Sequence, residues 1–366
     1  MQVRNKVVRN RKAWELDNGT LALQVMEGGG HLSSLTLRPG PKVNPYWTTA
    51  WKSIEPWQYR PAHQPRYESQ LLAAIQGHNV CLGAFGGPSP EEGLAGLGCH
   101  GEAPVARWRK LAQTVSARRL RFVCGCRLPI ADMTLTREFT LEADHPTVRV
   151  RSLVTNMARR DVPFTMCEHV TFGPPFLEKG VTLFDAPATA GHTFPEKFGD
   201  HPRLRMNAAF YWPNAPGARG GKVDLRTIGR QPRMSGDFST QLMDPEFDHA
   251  WFSAVHPGYG LAVIYVWRRS DFPWLGNWEE SYGRKSAPWG GVSLTRGMEF
   301  ANTPFPIGLR RSVDLGSFHG LPTYRWLPAR ATLELEFTII AARVGKDCRG
   351  VRTVTPNGSD FDVVWK

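Results

Sequence analysis

The 366-residue sequence predicts an all-β fold, a large antiparallel β-sandwich with few short helices, in a single domain over residues 1–366. Three observations carry this. Apolar and polar residues alternate with a period of two in several separate stretches. The 36 glycines and 29 prolines are scattered as turn punctuation and not gathered into linkers. Helical periodicity is nearly absent. Length alone would suggest two domains, but a sandwich grows by adding strands to the same two sheets. A hydrophobic content of 41% is enough for a packed core.

Along the chain, Trp14 to Val25 predicts a hairpin, with Asp17-Asn18-Gly19 at its turn and Leu21, Leu23 and Val25 alternating beyond it. Asn-Gly suits a two-residue turn because both central residues need positive φ. Thr147 to Thr155 alternates Val148, Val150 and Val154 with Arg149 and Arg151. Leu333, Leu335, Phe337 and Ile339 interleave with Glu334, Glu336 and Thr338. Leu261 to Trp267 is almost wholly apolar, as expected of a strand covered on both faces. Ser89-Pro90-Glu91-Glu92 has the form of a helix N-terminus that dies at the following glycines, and Tyr67 to Gln76 is the other helical candidate. Asn44 to Arg66, rich in Pro, Trp and Tyr, reads as an ordered loop.

The formal charge of +12 raises the question of nucleic acid. Binding would need the cations gathered in one stripe, whereas here the densest groups are pairs such as Arg118-Arg119 and Arg310-Arg311. No nucleic-acid partner is expected. General solubility accounts for the excess charge, and an anionic sugar is the alternative use for it. Six cysteines without metal-type spacing read as small core fillers of a reduced, cytoplasmic protein. The N-terminal stretch lacks the apolar core of a secretory signal, and no run is long enough to span a bilayer. No membrane association is expected. The glycine run 28–30 lacks the Lys-Ser/Thr of a phosphate loop, so no cofactor is implied.

Three stretches carry candidate chemistry. Read as a strand, Val162 to Phe172 puts Thr165, Cys167, His169 and Thr171 on one small, hydroxyl-rich face. Such a face suits a pocket floor, or a core histidine satisfied by a threonine hydroxyl. In Gly98-Cys-His100-Gly-Glu102, the histidine and acid are two residues apart, so an extended chain would point both one way. A metal held by His100, Glu102 and His169 matches no established zinc spacing. Glu299, between Met298 and Phe300, would gain a raised pKa and general-base character from partial burial. Among the 13 tryptophans, one to three are expected to stack on a ligand, Trp278 among them.

In order and spacing these pieces resemble the aldose 1-epimerase (galactose mutarotase-like) superfamily. Gly98-Cys-His100-Gly is similar to that family's Leu-His-Gly motif, and Glu168-His169-Val-Thr-Phe172 to its Asn-His-Thr-Tyr-Phe motif. Phe247-Asp248-His249 is similar to its Phe-Asp-His segment, and Gly297-Met-Glu299 to its Gly-x-Glu-Pro. The resemblance implies a β-supersandwich and a cofactor-independent isomerase acting on a small carbohydrate, as a monomer or homodimer. It implies His169 as general acid, Glu299 as base and His100 as a substrate-orienting partner. Asp248 would hold sugar hydroxyls, together with Glu102, Trp278, and Arg60 or Arg66 as the arginine. His169 and Glu299 are expected on opposite sides of a space the size of one pyranose. The sequence departs from the family at Phe300, where the family has proline, at Glu168, where the family has an amide, and in the added segment from Asn44 to Gly98. A lyase or hydrolase acting on a larger glycan, and a non-catalytic sugar-binding protein, are the competing functions.

Overall fold

The alternating stretches become the inner and outer faces of two large antiparallel sheets. The protein is described here by a computed structural model covering residues 1–229, 234–358 and 360–366. Among the described residues the larger sheet has 14 strands, its centre running through His78–Gly83, Val162–Phe172, Leu294–Ala301, Trp274–Ser281 and Ser235–Met243 in that order. The second has 8, including His249–His256, Leu261–Arg268, Thr332–Arg343, Thr147–Asn156 and Met133–Glu142. In Thr147–Asn156 every second residue is buried: Val148, Val150 and Val154 face the core, while Arg151 faces outward and pairs with Glu334 across the strand at 2.6 Å. Leu261–Arg268 is apolar and buried up to Trp267 because it is covered twice. Val263, Tyr265 and Trp267 enter the core between the sheets, and Ile264 and Val266 lie under a C-terminal hairpin, Val351–Asn357 and Asp360–Trp365.

The first hairpin forms with a different turn from the one expected. Asp17 pairs with Ala22, so four residues close the loop, and only Gly19 has positive φ (94°). Asn18 is not in the left-handed region. Its side chain instead accepts from the N–H groups of Thr20 and Leu21 at 3.0 and 2.6 Å, and donates to the carbonyls of Glu142 and His145. Side-chain bonding has replaced the turn geometry. The helical candidates are short, as expected. Ser89 caps Pro90–Leu94 in a capping box with Glu92. Gln64–Tyr67 and Gln70–Ala74 are separated by Glu68 at φ 64°. An eight-residue helix, Gly308–Leu315, has no counterpart in the sequence reading.

A polar chain crosses the otherwise apolar core. Arg137, from the smaller sheet, donates to Glu168, which also accepts from His78 Nε2 at 2.7 Å. Tyr265 OH lies 3.1 Å from His78 Nδ1, and Tyr46 OH lies 2.5 Å from Tyr265 OH. All five residues are buried. Read in one direction, each donor from Tyr46 through Tyr265 and His78 to Glu168 meets an acceptor, as a buried polar group requires, while Arg137 Nε and Nη1 are buried without a partner. Burial opposes the charge on Glu168, but Arg137 and His78 outweigh it and hold the carboxyl below its ordinary range. This explains Glu168: it faces the core, back to back with His169, and ties the two sheets together.

Candidate functional site

Register in the larger sheet decides which side chains meet. His169 is directly opposite Glu299, Cys167 opposite Cys81, Gly276 opposite Glu299, and Trp278 opposite Gly297. With a side-chain period of two, Cys81, Cys167, His169, Glu299, Trp278 and Phe238 share the face turned away from the core. Small residues clear the space around the acid. A Cβ at Gly297 would lie 2.2 Å from Glu299 Oε1, and one at Gly276 would lie 2.7 Å from Phe238. The Glu299 side chain folds back into that vacancy.

Above this floor lies a cleft of about 290 Å³ lined by His100, His169, Glu299, Trp278, Trp289 and Cys99, among others. His100 reaches it from a loop whose residues 100 and 101 are both left-handed, at φ 68° and 76°. Gly101 is required there, since a Cβ would meet the Leu82 carbonyl at 2.2 Å. The imidazoles of His100 and His169 lie 5.1 Å apart, and Phe85 and Trp278 stand 6.5 and 5.7 Å from His169. Trp47, stacked on Trp289 at 5.6 Å, and Trp51 back this wall. The aromatic loop that the sequence marked thus supports one side of the cleft, with Trp51 Nε1 donating to the Leu72 carbonyl at 2.8 Å.

His169 Nε2 lies 3.1 Å from Glu299 Oε1. The approach lacks the alignment of a hydrogen bond, and Oε1 is left buried without a protein partner. The other ring nitrogen, Nδ1, is 3.1 Å from Thr171 Oγ1. Both readings of His169 therefore hold in part: a threonine hydroxyl anchors it, and its free edge faces the cleft. Burial, opposed by His100 and reinforced by the Cys81 and Cys99 thiols, pushes Glu299 well above the carboxylate range. Burial, then His100, holds His169 well below the imidazole range. Burial thus favours a neutral acid beside a neutral base. Two influences on His100 oppose each other. The thiols of Cys81 and Cys99 pull it toward its charged form against burial, while the Gly86 N–H points at Nδ1 at 3.1 Å and needs a lone pair there. The directed backbone contact is the firmer of the two and fixes a ring protonated at Nε2.

Of the residues proposed from sequence, His100, His169, Glu299 and Trp278 converge on the cleft. His169 and Glu299 are not on opposite sides of a ring-sized space, as had been expected; they are neighbours across one strand pair. Glu102 turns away because the two left-handed residues break the extended path, and its carboxylate accepts from the N–H groups of Ile130 and Ala131 at 3.1 and 2.8 Å. Asp248 is exposed at the edge of the other sheet, before His249–His256. Arg60 is exposed and donates to the Trp57 and Tyr59 carbonyls, and Arg66 is exposed over the Tyr67 ring. The arginine that does line the cleft is Arg284, 4.8 Å above Trp289 and 3.3 Å from Glu280. Nothing in its local sequence marks it. Of the cysteines read as core fillers, Cys81 and Cys167 are buried in a packed cluster beneath the cleft, while Cys99, half-buried, lines it. Among the described residues no group of three His, Cys, Asp or Glu side chains is arranged to hold a metal ion, and no helix is long and apolar enough to cross a membrane.

The all-β double sheet is that of galactose mutarotase-like structures, as comparison with known proteins shows. No protein-family model and no curated sequence matches the chain. Solved structures do. A candidate aldose 1-epimerase from Klebsiella pneumoniae is similar with TM-score 0.65 at 13% identity, over 93% of this chain and 83% of that one. A galactose mutarotase-like protein from Clostridium acetobutylicum gives 0.59 at 11%, over 94% and 99%. A candidate aldose 1-epimerase from Escherichia coli K12 gives 0.58 at 14%, over 91% and 99%. At these identities the likeness is one of fold.

Proposed function

We propose that the protein interconverts the anomers of a small aldose by opening and reclosing its ring. The observation that carries this is the His169–Glu299 contact of 3.1 Å on the floor of a cleft with room for one sugar. In a cyclic hemiacetal the ring oxygen and the anomeric hydroxyl share one carbon. An acid and a base that serve both must therefore be neighbours, which is why adjacency suits the reaction better than opposition. Glu299, neutral through burial, gives its proton to the ring oxygen as the C1–O5 bond breaks. His169 Nε2, its lone pair free when Thr171 accepts the Nδ1 proton, takes the proton of the anomeric hydroxyl. The open-chain aldehyde turns about its C1–C2 bond and closes by the reverse transfers, giving the other anomer and restoring both groups. These resting roles are the reverse of those the family resemblance implies. His100 Nε2–H orients a sugar hydroxyl, and the Trp278 face, with its unpartnered Nε1, supports the ring.

The test is polarimetry on a panel of freshly dissolved aldoses, with products weighed by mass spectrometry. Accelerated mutarotation without a change of mass supports anomerisation. A product of altered mass from an oligosaccharide favours elimination or hydrolysis, a reading to which an adjoining cavity sharing Phe198 and Phe238 with the cleft lends a path for a longer glycan. Saturable binding without turnover leaves a binding protein.

A further inference from the structure

We propose that the cleft floor carries a thiol-oxidation site, in which Cys99 meets a hydroperoxide and relays the oxidation to Cys81 and Cys167, which close as a cross-strand disulfide. The acid–base chemistry uses none of these three thiols, yet the fold brings them together from three segments. Cys81 and Cys167 are directly opposed on antiparallel strands, which sets Cα atoms about 4.5–5.5 Å apart, inside the span of about 4.4–6.8 Å that a disulfide bridges. Cys81 and Cys167 lie in one packed cluster, and Cys99 packs against it. All are free thiols. Cys81 and Cys167 are fully buried, and Cys99, half-buried, lines the cleft. A small oxidant entering the cleft therefore reaches Cys99 first.

The steps balance. The Cys99 sulfur attacks one oxygen of hydrogen peroxide, the O–O bond breaks, and water leaves with the thiol proton, giving a sulfenic acid. The Cys81 sulfur attacks the Cys99 sulfur; an S–S bond forms, the S–O bond breaks, and hydroxide leaves as water with the Cys81 proton. Cys167 then attacks Cys81, releasing Cys99, which takes up the Cys167 proton. Two thiols lose two electrons, and one peroxide becomes two waters. Closing the disulfide would repack the strand that carries His169, beside Glu299.

The test treats the full chain with stoichiometric hydrogen peroxide, quenches with an alkylating reagent, and reads intact mass and cross-linked peptides. This readout is independent of whether the protein turns over a sugar. The wild type should lose two hydrogen atoms, recovered by a thiol reductant, with Cys81 linked to Cys167. Cys99→Ser, altered only at the cleft surface, should oxidise about tenfold more slowly to the same product, and Cys167→Ser should stop at a Cys81–Cys99 link. Added oxygen on Cys99 with no cross-link, or a wild-type oxidation rate in Cys99→Ser, overturns the relay.

Discussion

Glycine at position 297 is the most economical place to perturb the site. An added Cβ would stand 2.2 Å from Glu299 Oε1 and 3.1 Å from the Trp278 Cβ. To reach the 3.0 Å that real Cβ atoms keep, the carboxyl must retreat by about 0.8 Å. The atom in the way ends a flexible side chain, so the fold loses little: one off-rotamer torsion costs about 0.5–1.5 kcal/mol. The chemistry loses more, since a misplacement of about 1 Å in a reacting group costs roughly a hundredfold in rate. Gly297→Ala should therefore fold, melt within a few degrees of the wild type, and exchange anomers about a hundredfold more slowly. The assay is magnetisation transfer between the two anomeric proton signals of an aldose that the wild type equilibrates. Gly345→Ala, where a Cβ meets nothing within 4 Å, is the control and should match the wild type. A folded Gly297→Ala protein at the wild-type rate would refute the reasoning, because the carboxyl could then stand elsewhere without consequence.

Other outcomes follow from the same geometry. Because burial raises Glu299 in the folded state, the stability tied to its proton is fully present below the ordinary glutamate range and is lost as pH rises through the folded value. Glu299→Gln should raise the melting temperature by an increment that widens with pH; a pH-independent increment contradicts the burial argument. Arg137→Met alone should cost about 3–5 kcal/mol by stranding the Glu168 charge in the core, and Arg137→Met with Glu168→Leu should recover most of that in chemical denaturation. Equal losses in the single and double variants would show that the pair is not coupled. Arg60→Ala, Arg66→Ala and Asp248→Ala should leave anomer exchange within about twofold of wild type, since surface changes remote from a site are near neutral; a large loss in any of them would move the binding site.

The sequence disclosed what repeats along a single strand and concealed what depends on neighbours. Alternation in Thr147–Asn156 and Thr332–Arg343 located strands and their faces, because side-chain direction is a local property. His169 and Glu299 were legible as chemistry from their flanking residues and their resemblance to a family pattern. Their contact was not, because the register that sets 169 opposite 299 is fixed by the whole sheet. The same blindness hid the Cys81–Cys167 pair, and hid Arg137, which lies on another sheet and explains Glu168. Glu102 was misread for a backbone reason: two consecutive left-handed residues reverse the direction that an extended chain would have given it. Arg284 carries no local signal at all. Its place over Trp289 exists only once the loop after Trp274–Ser281 has folded.

The central claim is that one imidazole and one carboxyl, in contact across a strand pair, move the two protons of ring opening. Two-dimensional exchange NMR on an aldose panel, with wild type, His169→Ala and Glu299→Gln side by side, tests it most directly. The wild type should exchange at least one sugar well above the buffer rate, and each folded variant should lose about a hundredfold or more. Wild-type exchange surviving in both variants would contradict it, as would a wild type that speeds no sugar at all.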